Sequence, residues 1–405
     1  MRAQKTNHTM QLAAGLALLL GSFTAWGGDA IEVPDDVFET MHHKFQLEPV
    51  ASGLEDPWSL AFLPGGDLLI TEKPGRLRLV RDGELRDEAV PGTPVVWYRG
   101  QGGLLEVALH PEFEENQIIY LTYSKPNEAG DEATTALARG RLVGDEIVDL
   151  KDIFIADAWS GAGPHFGSKL AFDSDGYLFM TVGDRGANAF WEPRSDHPAQ
   201  RLDNHKGKTL RLNDDGSVPE DNPFVGQDGA LPEIWSYGHR NAQGLVYDAE
   251  NDRLWLTEHG PQGGDELNLV EKGRNYGWPV IGYGVQYGGR PIHEATHREG
   301  MEQPVQYWTP SIATSGLALY QGDVFPEWQG NLLAGGLAGR QVARLPVVEA
   351  NGGLQIGIME RPPLLSGWAR IRDVRVSPAG YIYLVIDDRR GGGTTPVVRM
   401  VNADD

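Results

Sequence analysis

The chain has no cysteine among its 405 residues, which excludes disulfides, thiolate metal sites and thiol nucleophiles. Any metal must therefore be held by oxygen or imidazole. Basic residues are scarce: 35 Lys and Arg face 57 Asp and Glu, a formal charge of −22 that argues against nucleic acid or an anionic membrane as partner. Sustained helical periodicity is missing; only residues 191–205 read as a short helical piece. Past the N-terminus no run approaches the ~18 apolar residues of a spanning helix, so no membrane insertion is expected.

At the N-terminus, Arg2 and Lys5 precede an apolar run from Met10 to Phe23, followed by the small residues Ala25, Gly27 and Gly28. This is the pattern of a secretory signal peptide over residues 1–28, leaving 29–405 as one exported catalytic domain, periplasmic or secreted. Either a monomer or a homodimer is compatible with that length.

What the chain has in abundance is glycine and proline, 52 and 26 of them, spread evenly and not gathered into a linker. Many short strands and turns are the expected result. An apolar strand, a polar turn and a second apolar strand recur six times. The copies are SLAFLPGGDLLIT from Ser59, EVALHPEFEENQIIYLTY from Glu106, SKLAFDSDGYLFMTVGD from Ser168, GLVYDAENDRLWLTEHG from Gly244, GLALYQGDVFPEWQGNLLAGG from Gly316 and DVRVSPAGYIYLVIDD from Asp373. A spacing of roughly 45 to 75 residues predicts an all-β, six-bladed β-propeller with unequal insertions, the competing fold being a pair of β-sandwiches.

In a propeller, polar residues at equivalent strand ends converge around one mouth. The richest stretch is Ser236–Trp278, which sets Arg240 beside Asn241, then a strand, the Gly260–Pro261 turn and the acids Asp265 and Glu266. A guanidinium offers paired donors to a carboxylate, and carboxylate and carbonyl oxygens suit calcium. Other candidates are Gln101 in WYRGQGG, His165 in SGAGPHFGSKL, Asp184 in TVGDRG, Tyr276, Tyr287, and the pair Arg370 and Arg372, two apart and so on one strand face. An imidazole paired with a carboxylate is a general base at neutral pH. Three arginines and a cation site in an acidic protein point to a polyanionic cofactor.

Taken together, GQGGLLEVALHP, HFGSKLAF, TVGDRG, GHRNAQGL, EHGPQGGDELN, NYGW and RIRDV resemble the soluble aldose sugar dehydrogenases of the glucose and sorbosone dehydrogenase family. The resemblance spans about residues 47–402 and implies a six-bladed propeller using pyrroloquinoline quinone (PQQ) and calcium. It implies oxidation of an aldose at C1 to an aldonolactone, with hydride passing to the quinone and electrons leaving to an external acceptor. His165 would be the base, Asp184 its orienting acid, and Arg240 a stabiliser of developing negative charge. Gln101, Arg240, Asn241, Tyr287, Arg370 and Arg372 would contact the cofactor. Gly260 and Pro261 would give carbonyls to the catalytic calcium, with Glu266 and Tyr276, the latter through its main-chain oxygen, holding another. One departure stands out: the family commonly carries a lysine near the quinone where this chain has Ala338, with Arg340 two residues on within conceivable reach. Two alternatives fit fewer of these residues. A calcium-dependent lactonase would employ His165, Asp184 and Glu266 only, and a non-catalytic propeller would need neither the base nor the arginines.

Overall fold

The computed structural model describes residues 31–387 and 395–404; the expected signal peptide lies outside the described residues. Each of the six sequence copies opens one antiparallel sheet, giving six blades. The first is built from Pro57–Phe62, Leu68–Glu72, Arg76–Arg81 and Glu84–Leu85. The third comprises Leu170–Phe172, Leu178–Val182, Lys208–Leu212 and Ile234–Tyr237, and the fourth Ala242–Asp248, Arg253–Glu258, Asp265–Val270 and Gln306–Trp308. Inner strands follow one another around a closed ring, the sixth (Ile371–Val376) meeting the first. This is the propeller that the repeats predict, and it excludes the pair of sandwiches.

The repeat is visible in its turns. Leu63 N donates to Asp67 O at 2.8 Å, Asp173 N to Tyr177 O at 3.0 Å and Ser377 N to Tyr381 O at 2.8 Å, so three blades close their first hairpin by the same bond. Alternation along the second strands is weak because both of their faces are covered. Leu68–Glu72, Leu178–Val182 and Ile382–Ile386 are buried at every position. The covering is mutual: each pair of adjacent blades shares an apolar core, for example Leu69, Leu77, Leu104 and Ile119 between the first two and Phe179, Leu245 and Leu256 between the third and fourth. Stacked faces of this kind make the hydrophobic gain continuous around the ring.

Ring closure joins the two ends of the described chain. The sixth blade takes Lys44–Leu54 beside Thr395–Asn402, with Phe45 opposite Asn402 and Leu47 opposite Met400. On the axis, the ring is tied by charge. The Lys169 ammonium lies 2.8 Å from both Glu106 and Asp373 and over the Trp58 ring, and Arg375 binds Asp373 at 2.8 Å and Glu106. Four blades thus meet in one buried, charge-balanced cluster.

Helix is nearly absent, as expected. Region 191–205 holds two single 3₁₀ turns, Arg194–Asp196 and Pro198–Gln200, in place of a longer helical piece. Its insertion packs on the one that follows Trp278, through Ala189, Ala199, Trp278 and Ile292. Lys208 anchors it from below, its buried ammonium donating to the carbonyls of Pro198, Ala199 and Lys206 at 3.0, 3.2 and 2.6 Å. These two insertions form one wall of the mouth. Among the described residues, no helix is long and apolar enough to cross a membrane.

Candidate active site

Inner strands all start at the mouth, and five of the six carry a register irregularity at that end: Pro57/Ser59, Leu104/Val107, Ala242/Gly244, Thr314/Leu317 and Ile371/Asp373. Bulges of this kind re-aim side chains. The result is a cavity of about 540 Å³ lined by Gln101, His165, Asp184, Arg240, Pro261, Tyr287, Ala338 and Arg370, among others. Residues from five blades, up to 269 positions apart, thereby share one space. An inner lobe of about 420 Å³ continues it toward the axis, sharing Gln101 and His259 and adding Arg372.

His165 Nδ1 lies 2.6 Å from Asp184 Oδ1. The same carboxylate accepts the Gly186 N–H at 2.9 Å and, through Oδ2, the Trp278 indole N–H at 2.9 Å. Backbone geometry fixes the imidazole as well. His165 has φ of 59°, a left-handed conformation costly for a non-glycine residue, and its N–H is held by Gln101 Oε1 at 2.8 Å. Gly183 permits this approach, since a Cβ there would stand 2.3 Å from the His165 carbonyl. Burial, and then the Arg240 charge, lower the His165 pKa despite the opposing pull of Asp184. Burial works the other way on Asp184, but the His165 imidazole and Arg240 outweigh it and the carboxyl stays below its ordinary value. The pair is a neutral imidazole on a carboxylate, with Nε2 left as the proton-accepting atom.

Arg240 lies half-buried against the Trp278 face, its Cζ 5.2 Å from the ring centre. Its Nη1 donates to the carbonyls of His259 at 3.1 Å and Gly260 at 2.9 Å, and its main-chain N–H donates to Glu258 at 2.6 Å. Both Arg370 and Arg372 reach Asp387, at 3.4 and 2.7 Å, so the predicted pair does converge, and a carboxylate sits between its two members. Burial opposes ionisation of Asp387, but Arg372, Arg370 and Lys73 hold its pKa down at about 2.

Other expected residues stand behind the cavity. Asn241 is buried, its Oδ1 accepting from Gly167 N at 3.3 Å, so it steadies the turn that carries His165. Glu266 is opposite Glu258 on paired strands of the fourth blade, and burial together with that neighbour pushes its carboxyl well up. Asn268 donates to both acids at 3.1 and 3.2 Å, while its own Oδ1 is buried without a donor. Tyr276 stacks on His239 at 4.6 Å, next to these acids, because His239 Nδ1 is 2.9 Å from Glu258. Among the described residues no three His, Asp or Glu side chains gather as a metal cage. The expected cation sites depend instead on main-chain carbonyls, and the crowded carboxyls with an undonated amide oxygen are a donor set that suits a hard cation. Tyr287 stands at the rim, 69% exposed. Arg340 turns away to the Trp368 carbonyl, so it does not replace the ammonium missing at Ala338.

Three residues went unassigned in the sequence: Trp278, His259 and Lys73. Each has a signal there. Residues just after the second strand of a blade line the mouth: Lys73 after Leu68–Glu72, Asp184 after Leu178–Val182, His259 after Arg253–Glu258, Ala338 after Asn331–Gly336 and Asp387 after Ile382–Ile386. Of these, Asp184 and Ala338 are legible in the sequence, the latter through the family resemblance. Trp278 belongs to the quoted NYGW, but nothing in its spacing shows the bond to Asp184.

The sequence pattern of the glucose/sorbosone dehydrogenase family matches residues 54–396. Aldose sugar dehydrogenase YliI of Escherichia coli is 42% identical over 351 residues, covering 85% of this chain and 91% of that protein. A crystal structure of a glucose dehydrogenase, 42% identical, superposes with a TM-score of 0.81 over 89% of this chain and all of that one. The PQQ-bound form of an aldose sugar dehydrogenase from Streptomyces coelicolor, 28% identical, gives 0.67 over 92% of this chain and all of that one.

Proposed function

Since the chain belongs to the glucose/sorbosone dehydrogenase family, we propose that it oxidises an aldose at C1 to the aldonolactone with PQQ and calcium. The observation that carries this reading is the convergence of a neutral His165 imidazole, the Asp184 carboxylate, Arg240, Arg370 and Gln101 on one cavity of about 540 Å³. A planar polycarboxylate suits it, because arginines approach from two blades and a third opens on the inner lobe. The solved relative from Streptomyces binds PQQ, which agrees with that charge pattern.

PQQ, when bound, supplies the hydride acceptor, and calcium the Lewis acid that polarises it. Gln101, Arg240, Tyr287, Arg370 and Arg372 would hold the quinone, with Asn241 supporting the His165 turn. The Gly260 and Pro261 carbonyls would take the catalytic cation, and Glu266 with the Tyr276 carbonyl the other. His165 Nε2 takes the proton of the sugar C1 hydroxyl. Asp184 Oδ1 keeps the proton on Nδ1 and stabilises the imidazolium that forms. Arg240, fixed by two carbonyls and the Trp278 face, presents charge where an oxygen becomes negative. Electrons then leave to an external acceptor, in the periplasm or outside the cell if the N-terminus is processed as its pattern indicates. Hydrolysis of a lactone would leave Arg370 and Arg372 without a role.

Reconstitution tests this directly. Purified apoprotein is mixed with PQQ and calcium, and dye reduction is followed with glucose and a panel of aldoses. Turnover that requires both additions and stops on chelation is expected. Stoichiometric PQQ binding with no turnover on any aldose would overturn the substrate class, and no PQQ binding would overturn the cofactor.

A further inference from the structure

The inner lobe carries a cation that the family reading does not use. Lys73 follows the second strand of the first blade, at the position where the third blade places Asp184 and the sixth Asp387. Its side chain lines the lobe beside Arg372 and Asp387. Among the described residues its ammonium has one carboxylate partner, Asp56 Oδ2 at 3.3 Å. That oxygen already accepts the Tyr98 hydroxyl at 2.7 Å. The pair is therefore loose, and N–H directions remain for a ligand.

Charge accounting favours an anion there. Lys73 and Arg372 line the lobe with Asp56 and Asp387, and Arg370 reaches Asp387 from the outer cavity, so among the described residues three cations meet two carboxylates inside a protein of charge −22. The Lys73 charge adds to those of Arg372 and Arg370 in holding the Asp387 carboxyl down at about 2 against the effect of burial. Ala338 and the diverted Arg340 give the fifth blade no cation at the mouth. We propose that Lys73 is a fourth cation of the ligand site, binding with Arg372 a carboxylate of a polycarboxylate ligand in the inner lobe. The ligand's identity as PQQ rests on the function proposed above.

The test titrates PQQ into the full-length apoprotein with calcium present, following tryptophan emission, which Trp58 in the lobe makes responsive. Wild type, Lys73→Met, Lys73→Arg and a surface control, Lys125→Met, are compared at low and high salt. The dissociation constant of Lys73→Met should rise about tenfold, with a shallower salt dependence, as for one lost charge-assisted contact. Lys73→Arg should recover most of the affinity, and Lys125→Met should match wild type. Equal melting temperatures show that folding is intact. Binding of PQQ by Lys73→Met within about twofold of wild type at both salt levels would overturn the proposal. Citrate, a tricarboxylate without a quinone, separates the two readings. If wild type binds citrate but not PQQ, the cofactor assignment fails, and loss of citrate in Lys73→Met still upholds the cluster. Undiminished citrate binding in that variant, or binding of neither anion by wild type, refutes it.

Discussion

Replacing Lys169 by methionine strikes the axial charge cluster and nothing in the mouth. Lys169, Glu106 and Asp373 are each at most 2% exposed, and with Arg375 they sum to zero charge. Methionine fills a similar volume but leaves two carboxylates against one guanidinium. Loss of one partner of a buried ion pair costs about 3–5 kcal/mol, because the other charge is left uncompensated. With an unfolding entropy of roughly 2 cal/mol/K per residue over about 370 residues, 4 kcal/mol corresponds to a fall of about 5 °C in melting temperature. Calorimetry and the guanidinium midpoint give the two numbers. The double variant Lys169→Met/Glu106→Gln restores charge balance, so it should be more stable than the single by at least about 1 kcal/mol. A single variant within about 1 kcal/mol of wild type, or a double variant no better than the single, would refute the claim that uncompensated charge sets the cost.

Four further outcomes follow from the mouth. His165→Ala should lower kcat at least about a hundredfold while PQQ affinity, read by tryptophan quenching, stays near wild type. The acid limb of kcat/KM should lie below the usual histidine range, since burial and Arg240 lower the His165 pKa and the imidazole protonates, losing base function, only as pH falls through that lowered value. Trp278→Phe keeps the ring under Arg240 but deletes the donor to Asp184. The less stabilised carboxylate then holds the imidazolium more firmly, so the acid limb should move to higher pH, with a stability loss of about 1.5–3 kcal/mol for a hydrogen bond to a charged group. Calcium should raise the melting temperature of wild type, and Glu266→Gln should lose a measurable part of that rise in a thermal scan with and without chelator.

How much of this was legible in the chain differs by element. Six copies of strand, turn and strand, three of them closed by the turn bond seen in Asp173–Tyr177, specify the blade, because a blade is a local object made by neighbouring hairpins. His165 and Asp184 were legible for a related reason: they flank the two strands of a single hairpin, Leu170–Phe172 and Leu178–Val182, so sequence proximity carries over to space. Strand propensity, export pattern, exclusion of thiol chemistry and acidic charge likewise depend on composition and local order alone.

What tertiary structure decided depends on contacts between blades. Asp387 between Arg370 and Arg372, Trp278 on Asp184 and Lys73 on the inner lobe join residues whose separation in sequence carries no periodic signal. The axial cluster could not be read from Lys169, Glu106, Asp373 and Arg375, which alone resemble solvated charges and become a buried group only when the ring closes. Closure itself depends on Lys44–Leu54 pairing with Thr395–Asn402. The sequence by itself determined the blade, its six copies and the types of chemistry available; the packing of blade faces around one axis decided which of those groups touch.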